Sequence, residues 1–299
     1  MTQQNNLISI HAPKAQRPQT MNEFGYFLAG LIDGNGHIYP DGSVTLTLHE
    51  KDASVAYYIK KTIGYGKVKH VKKPKMSANV YTYVYICTHL SGIKVIGDAL
   101  RDKLINPDVI NMFNKYLAPS FDLPLTASSE DQNSFGDFDN RWLAGFIQAQ
   151  VINNPFVIQI LDAKKKQFAA EKNKVLSKDS TQQVEQFNPS AMHMQIQMGV
   201  RIHHKTDFLL KLIKNTVGGH ICWSEEKSSF LYDSKDLKNT IKFIKYLDRH
   251  QVMGACLTGY WLWRKAYLRL QSGAYKTEKG YSEIFGFKTR LCKLRSYKN

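Results

Sequence analysis

The sequence predicts an α+β protein made of two copies of one structural unit. Phe27–Ile32 (FLAGLI) recurs as Trp142–Ile147 (WLAGFI), and Ile59–Gly64 (IKKTIG) recurs as Ile213–Gly218 (IKNTVG), so the parts keep their order. Each copy opens with a helix rich in small residues. It continues into segments in which polar and apolar residues alternate, the pattern of half-buried strands. Two such units account for the length of the chain.

The composition predicts a folded protein that binds a polyanion. The chain has 299 residues, 43% of them hydrophobic, and a formal net charge of +16 from 41 basic and 25 acidic side chains. Clustered Lys and Arg gain affinity for phosphates by releasing counterions, which favours nucleic acid as the partner. The alternative is a basic protein without such a partner. No apolar run is long enough to span a membrane.

The cysteines predict no zinc site. Their spacing matches no zinc-ligand pattern, so we expect buried thiols in a reducing compartment. They are Cys87, Cys222, Cys256 and Cys292.

Composition divides the chain into five segments. We predict a basic, disordered N-terminal arm at 1–22, a first repeat at 23–117, a linker at 118–140, a second repeat at 141–285 and a basic tail at 286–299. The second repeat is longer by about 39 residues, which places a Lys/Gln-rich insertion at 151–191. The alternatives are an organellar presequence for the arm and a solvated terminal helix for the tail.

Alternation predicts a polar, basic face on each sheet. Amide, hydroxyl and basic side chains on such a face are suited to phosphates, sugars and base edges. The residues expected there are Thr45, Thr47, His49, Lys67, Lys69, Lys72, Lys73, His193, Gln195, Gln197, Arg201 and His203. The tail adds Lys288, Arg290, Lys293 and Arg295. An ordinary solvated sheet face is the alternative, and Tyr81, Tyr83 and Tyr85 are expected to pack half-buried rather than stack on bases.

The two motif copies resemble the LAGLIDADG motif. Leu28–Gly36 (LAGLIDGNG) is similar to the full motif, and Leu143–Gln150 (LAGFIQAQ) to a degenerate second copy. Asp52–Val68 and Trp263–Gln271 also resemble the single-chain, two-repeat homing endonucleases and maturases encoded in organellar introns, so the resemblance covers roughly residues 22–295.

The resemblance implies two pseudo-symmetric αββαββα-like repeats in a monomer, each with a four-stranded antiparallel sheet. Together the sheets would form a saddle that binds nucleic acid. Small and apolar motif residues would pack the two motif helices against each other. These are Leu28, Ala29, Gly30, Leu143, Ala144 and Gly145. In the family, the last acidic residue of each motif holds the divalent metal ions that assist DNA cleavage.

The sequence departs from the family at those metal-binding positions. Asn35 and Gln150, both neutral amides, stand where the acids are expected, and Cys256 stands at the expected active-site lysine of the second repeat. The first-repeat counterpart of that lysine is Asp108, and Val151 replaces a motif glycine. An amide brings no charge to Mg²⁺, so we expect no metal cofactor and ancestral Mg²⁺ sites that are lost.

The remaining motif acid is Asp33, which resembles a helix-capping residue rather than a metal ligand. Natural decay of the nuclease explains all the departures, whereas deliberate inactivation explains only the acid-to-amide changes.

The sequence therefore predicts a LAGLIDADG-like protein without nuclease activity that acts as a structural nucleic-acid-binding component. The expected partner is structured RNA in an organelle, most simply the mitochondrion. That RNA is either ribosomal RNA, with ribosomal proteins as further partners, or group I intron RNA. The enzymatic alternative is a site-specific homing DNA endonuclease in inactivated form, and a third is a repressor that binds duplex DNA.

Overall fold

The two repeats fold alike, as a computed structural model describes them over residues 7–72, 81–126, 139–150, 154–162 and 194–294. The first repeat contains α1 (Met21–Asn35), β1 (Gly36–Ile38), β2 (Val44–His49), α2 (Ala53–Ile63), β3 (Lys67–Lys72), β4 (Tyr81–Cys87), α3 (Leu90–Leu100) and α4 (Pro107–Met112). The second contains α5 (Trp142–Gln148), β5 (Phe156–Asp162), β6 (Met194–His204), α6 (Phe208–Val217), β7 (His220–Ser224), β8 (Ser229–Asp233) and α7 (Leu237–Arg249). Two helices follow, α8 (Gly254–Gln271) and α9 (Glu278–Leu294).

Each repeat carries one four-stranded antiparallel sheet, so the predicted α+β, αββαββα-like fold is confirmed. The strand orders are β1-β2-β4-β3 and β5-β6-β8-β7, which are equivalent under the repeat. One face of each sheet is apolar: Val44, Leu46 and Leu48 are buried in the first sheet, and Val200 and Ile202 in the second. Alternation therefore predicted the core-facing side of both sheets correctly. None of the helices in these described ranges is long and apolar enough to cross a membrane.

Local sequence signals set several helix ends. Thr20 caps α1 by accepting a hydrogen bond from the Glu23 amide at 3.1 Å, a Ser/Thr-x-x-Glu arrangement. Gly64 ends α2 in the left-handed conformation, with φ of +83°. Asn106 and Pro107 begin α4 as N-cap and first helical residue.

The centre of the molecule is the contact between α1 and α5. A Cβ atom added to Gly30 would overlap the carbonyl oxygen of Trp142, and one added to Gly145 would overlap the carbonyl oxygen of Phe27. The two contacts are equivalent under the repeat. Leu28, Ala29, Leu143 and Ala144 are also buried. Only hydrogen fits at the two glycines, so the helix backbones touch directly.

The N-terminal arm differs from the prediction. Residues 7–20 follow a defined path along the helices, and α1 begins at Met21 rather than at residue 23. Ile8 is buried, and its amide and carbonyl both bond to the side chain of Gln271. The described part of the arm is thus packed against the second repeat rather than disordered, because its backbone groups find protein partners.

The predicted insertion begins too early. Residues 156–162 form β5, the edge strand that pairs with β6, so they belong to the sheet. The remaining extra length lies at 163–193, outside the described residues, as do 127–138 of the expected linker.

The predicted C-terminal tail is largely a packed helix. The boundary at 285/286 falls inside α9, which continues to Leu294. Ile284, Phe287 and Leu291 are buried at helical spacing, so this segment is held by an apolar face. Two of the cysteines also differ from expectation, because Cys222 and Cys292 are exposed.

Gly30→Ala should destabilise the fold by about 3 kcal/mol or more, because the added methyl group would meet backbone atoms that cannot rotate away. Gly286→Ala is the matched control. That glycine lies within α9, has no atoms near an added Cβ, and should change stability by less than about 1 kcal/mol, towards higher stability. Urea unfolding of both variants measures the difference. Equal effects would contradict the central role of the contact.

Candidate nucleic-acid interface and motif ends

The two motif ends lie side by side below the α1–α5 contact. A Cβ added to Gly34 would lie 2.6 Å from the Cβ of Ala149, its counterpart in the second repeat. Asn35 and Gln150 are the next residues along each chain segment. The motif ends that carry Asn35 and Gln150 therefore lie close together, where the two repeats meet.

Both amides bond to the backbone of a strand in their own repeat. The Asn35 Nδ2 donates to the Thr47 carbonyl on β2 at 3.1 Å. Gln150 makes two bonds to His203 on β6: its Nε2 donates to the carbonyl at 3.3 Å, and its Oε1 accepts from the amide at 3.0 Å. Gln150 is 8% exposed, so this pair of bonds is sheltered from water. The side chain matches both the donor and the acceptor of one residue, whereas an ionised carboxylate would supply acceptors alone.

These residues do not fit a divalent metal ion. Mg²⁺ requires oxygen ligands in octahedral geometry and favours carboxylates, whereas the oxygen that Gln150 offers already accepts the His203 amide. Over the ranges described, no group of three or more His, Cys, Asp or Glu side chains is arranged to hold a metal.

Asp33 binds the backbone of the two residues just before α4 rather than capping a helix as the sequence predicted, because Asn106 is the N-cap of α4. Its carboxylate accepts from the amides of Ile105 at 2.9 Å and Asn106 at 3.3 Å, and from the Trp142 indole at 2.7 Å. Burial raises the pKa of Asp33 to about 7, against the lowering effect of these three hydrogen bonds. Its ligands are thus backbone and indole groups of the two repeats.

Gln148 takes the equivalent place in the second repeat. Its Oε1 accepts from the Met253 amide at 2.9 Å, and its Nε2 donates to Asp52 at 3.0 Å. Asp52 in turn accepts from the Ala255 amide at 2.8 Å. A carboxylate of the first repeat and an amide of the second therefore cap α8 together. No local sequence pattern marks Asp52, because its partners are distant along the chain.

Cys256 lies in the first turn of α8 and is 1% exposed. A side chain that acts on a bound phosphodiester must reach the solvent, so Cys256 is a core residue here. Asp108, its first-repeat counterpart in the sequence comparison, is exposed on α4. The two positions therefore differ in environment.

The open face of the first sheet carries some of the expected residues. Directly paired residues of neighbouring strands point to the same face. The register from β2 through β4 to β3 consequently groups four side chains on that face. They are Thr45, Thr47, Lys67 and Lys69.

Two expected residues of this sheet lie elsewhere. His49 is fully buried, because the strand ends there and its ring caps the turn Glu50–Asp52 by accepting from the Lys51 amide. Lys72 pairs with Tyr81 and so shares the opposite face with Tyr83 and the buried Tyr85. Both are corrections to the predicted interface.

Packing of the tyrosines is confirmed on that opposite face. Tyr85 is buried, while Tyr81 and Tyr83 are half-buried and each stacks on His70. Lys73 lies outside the described residues.

The open face of the second sheet is polar but partly neutralised. The Arg201 guanidinium pairs with Asp233 at 2.7 Å, and Lys235 shares that carboxylate at 3.2 Å. Burial lowers the pKa of His203 to about 4, helped by the charges of Lys227 and Arg201. His203 is therefore neutral at neutral pH. Because the His203 ring is neutral and the Arg201 guanidinium is paired, this face is better suited to hydrogen bonding than to electrostatic attraction of phosphates.

Gln195 and Gln197 share this open face, since they alternate with the core residues of β6. Gln159 on β5 lies directly opposite Gln197 and extends the amide row. Gln159 was not among the expected interface residues, because residues 156–162 were assigned to the insertion. His193 lies outside the described residues.

The basic residues of the C-terminal segment lie on α9, not on either sheet. The Arg290 guanidinium lies 5.2 Å from the ring centre of Phe287, and the Lys293 carbonyl accepts from the Lys51 ammonium at 3.1 Å. Lys288 is half-buried on the same helix. Arg295 falls outside the described residues.

Comparison with known proteins places the chain in a family. No protein-family profile matches it. It is 30% identical over 279 residues to an uncharacterized cox1 intron-2 37.2 kDa protein of Schizosaccharomyces pombe, covering 93% of this chain and 75% of the relative. It is also 30% identical over 132 residues to the endonuclease SceI small subunit of Saccharomyces cerevisiae, covering 43% of this chain and 27% of that protein.

Solved structures show the same fold. The I-LtrWI LAGLIDADG homing endonuclease bound to target DNA superposes with a TM-score of 0.60 at 16% identity, over 93% of this chain and all of that one. The I-GzeII LAGLIDADG homing endonuclease in complex with its DNA target gives 0.57 at 16% identity, over 91% and 99% of the two chains. The chain belongs to the LAGLIDADG homing endonuclease and maturase family.

The motif helices of this LAGLIDADG chain keep the family's glycines but not its acids. Gly30 and Gly145 are the family's motif glycines in this chain, and they make the helix contact that the motif is expected to make. The two amides stand at the ends of the same motif helices. The motif helices thus pack as the family fold requires. At the motif ends, however, amide side chains stand where the motif has acids.

The Asp33 carboxyl should make stability depend on pH. Its pKa of about 7 in the folded protein lies above its ordinary value of 3.8, so the folded state binds more protons between these values. The stability that this carboxyl contributes is full below about pH 4 and is lost as the pH rises through about 7. Relative to Asp33→Asn, which does not titrate, the wild-type free energy of unfolding should therefore fall over this range. Urea unfolding at stepped pH measures it, and a difference that stays constant with pH would refute the assignment.

Proposed function

We propose that this chain is a LAGLIDADG protein without nuclease activity that binds structured RNA in an organelle as a non-enzymatic component. The observation that carries the proposal is the pair of hydrogen bonds between the Gln150 amide and the His203 backbone. A residue that replaces a metal-binding acid and then takes a fixed structural role is expected of a protein that no longer cleaves DNA.

Replacing the Gln150 amide by a carboxylate should destabilise the protein. A glutamate at 150 would accept the His203 amide but would place its second oxygen against the His203 carbonyl, where the Gln150 Nε2 now donates at 3.3 Å. Two acceptors facing each other in a site that is 8% exposed are unfavourable. This argues for natural adaptation of the surroundings to the amide rather than for a recent inactivating change.

The net charge of the chain and its similarity to an intron-named relative favour RNA as the partner. The net charge of +16 suits a polyanion, and RNA helices are recognised mainly through phosphates, shape and 2′-hydroxyls. The S. pombe relative is named for a cox1 intron, which fits an origin in an organellar intron and a mitochondrial location. Within this proposal the RNA is either group I intron RNA or ribosomal RNA, the latter with ribosomal proteins as neighbours.

The second candidate is a site-specific DNA endonuclease. It is favoured by the solved neighbours, which were determined in complex with DNA targets. The open sheet faces offer hydroxyl, amide and lysine side chains that suit duplex DNA as well as RNA.

Asn35→Asp combined with Gln150→Glu should not restore cleavage of supercoiled plasmids that tile the organellar genome, with and without introns, in Mg²⁺ buffer. Gln150→Glu alone should destabilise the protein by about 1–3 kcal/mol, because it leaves a buried acceptor facing an acceptor. Gln195→Glu is the matched control. Gln195 is an exposed amide on β6, the strand that Gln150 contacts, and its replacement should change stability by less than about 0.5 kcal/mol. Cutting at one defined site by the double variant would establish the endonuclease.

Ultraviolet crosslinking in the native organelle, followed by sequencing of the bound nucleic acid, should recover RNA reads concentrated in structured segments. Reads confined to one intron would identify a splicing role, and reads in ribosomal RNA a ribosomal one. A library that instead consists of duplex DNA, and that loses signal on DNase but not RNase treatment, would exclude the RNA proposal.

A further inference from the structure

The outer surface of α7 carries a row of positive charge. Four basic residues recur at intervals of four, three and four positions, which places them on one side of the helix, and all four are exposed. They are Lys238, Lys242, Lys245 and Arg249. The opposite side of α7 is buried through Thr240, Phe243, Ile244, Tyr246 and Leu247.

The neighbouring helix extends this charge. The Lys242 ammonium bonds to the carbonyls of Thr216 and Val217 at the end of α6, at 3.4 and 2.9 Å. This contact joins the row on α7 to α6, which exposes Lys211 and Lys214. We call the exposed basic residues of α6 and α7 the basic helical surface.

Within the described ranges, two basic residues of the basic helical surface form ion pairs with acids. Asp207 pairs with Lys211 at 2.6 Å, and Asp139 pairs with Arg249 at 3.3 Å. Asp248 is turned to the other side of α7, where it binds the buried guanidinium of Arg264. Asp236 caps α7 by accepting from the Lys238 amide. Counted over the described residues, the basic side chains of this surface therefore outnumber the neighbouring acids.

The first repeat shows that the fold does not require this charge. The equivalent helices α2 and α3 carry three lysines, Lys60, Lys61 and Lys94, and one acid, Asp98, which pairs with Arg101. Helices α6 and α7 carry six basic residues and one acid. Because the two repeats are otherwise equivalent, the difference is specific to the second one.

The basic helical surface lies on the far side of the sheet from the open face. Thr240 on α7 donates to the carbonyl of Met198 on β6, and the Phe243 ring lies 6.2 Å from that of Tyr232 on the core-facing side of β8. Helix α7 thus covers the apolar face of the second sheet. The sheet therefore separates these lysines from a nucleic acid that is bound on its open face.

We propose that the basic helical surface is a second, separate site that binds double-stranded RNA through its phosphates. Lysines act as point charges that neutralise phosphates without reading bases, and the row on α7 spans about 16 Å at 1.5 Å per residue. Helices in contact lie about 8–10 Å apart, so α6 and α7 present two neighbouring rows of cations. Two such rows suit the phosphates on either side of the narrow major groove of A-form RNA, and are a poorer match to the major groove of B-DNA, about 12 Å wide.

The test compares two triple variants. Lys238→Gln/Lys242→Gln/Lys245→Gln removes three charges from the basic helical surface, and Lys60→Gln/Lys61→Gln/Lys94→Gln removes three from the equivalent helices of the first repeat. The probes are a 24-base-pair RNA duplex of arbitrary sequence, a length of about one and a half dsRNA-domain footprints, and the matching DNA duplex. Fluorescence anisotropy over a salt series gives affinity and salt dependence.

The α7 triple should weaken RNA-duplex binding roughly tenfold or more at about 0.1 M salt and reduce the slope of log K against log salt by about 2–3, whereas the control triple should change affinity less than about twofold. Equal loss in both triples, no loss in the α7 triple, or tighter binding of the DNA duplex than of the RNA duplex would overturn the proposal. Lys238→Gln/Lys245→Gln leaves the Lys242 contact to α6 intact and serves if the triple variant unfolds.

Crosslinking mass spectrometry with the same RNA duplex locates the site. Peptides from 208–217 and 237–249 should carry the crosslinks, and they should persist in a Lys67→Gln/Lys69→Gln variant of the open sheet face. Crosslinks confined to the sheet strands would refute a separate site. This outcome is independent of whether the chain cleaves DNA or which RNA it binds in the organelle, so it can fail without the proposed function failing.

Discussion

The close approach of α1 and α5 at Gly30 and Gly145 sets the distance between the repeats. Each glycine lies against a backbone carbonyl of the other helix, where a methyl group would overlap it. Direct backbone packing leaves no side chains to adjust, so the crossing fixes where the two helices end. The positions of Gly34, Asn35, Ala149 and Gln150 follow from it. A loosened crossing would move the first sheet in particular, because α1 is followed directly by β1.

At the motif ends, equivalent side chains of the two repeats make different hydrogen bonds. Asp33 and Gln148 occupy equivalent positions, but the Asp33 carboxylate accepts three hydrogen bonds, whereas the Gln148 amide both accepts and donates. Asp52 from the first repeat accepts from both Gln148 and the start of α8. Gln148 and Asp52 thus link the two repeats. The same logic applies to Gln150, whose donor and acceptor both find partners on β6.

The sequence predicted the features that repeat or alternate and missed those set by distant contacts. The motif helices and the core-facing strand residues could be inferred, because each has a local pattern. Asp33 was expected to cap a helix, but it accepts from Ile105 and Asn106 just before α4, which are distant along the chain. His49 follows the alternation but is buried, since its strand ends there and the chain turns inward. Lys72 is exposed because its strand is an edge strand, and exposure alone does not assign it to a face.

Helix α9 and strand β5 were missed for different reasons. The buried residues Ile284, Phe287 and Leu291 had the helical spacing that would have revealed α9, but the surrounding basic residues dominated the interpretation. Strand β5 reads as a continuous apolar run with one glutamine, which lacks clear alternation.

The N-terminal segment shows how the two repeats are tied together beyond the crossing. The amide of Gln251 bonds to the backbone of Lys14 and Gln16, and the guanidinium of Arg264, which is 2% exposed, donates to the carbonyls of Ser9 and His11. Without this segment, part of a buried guanidinium would lack acceptors, which is costly.

Arg264 and Gln251 belong to the second repeat, whereas Tyr58 on α2 of the first repeat holds the same segment by donating to the Pro18 carbonyl and by its ring contact with Arg17. Residues 8–18 therefore act as a strap across both repeats. A strap whose backbone bonds are used inside the protein is not available to extend into a nucleic acid. Recognition is then left to surfaces that the fold holds rigid, such as the open sheet faces.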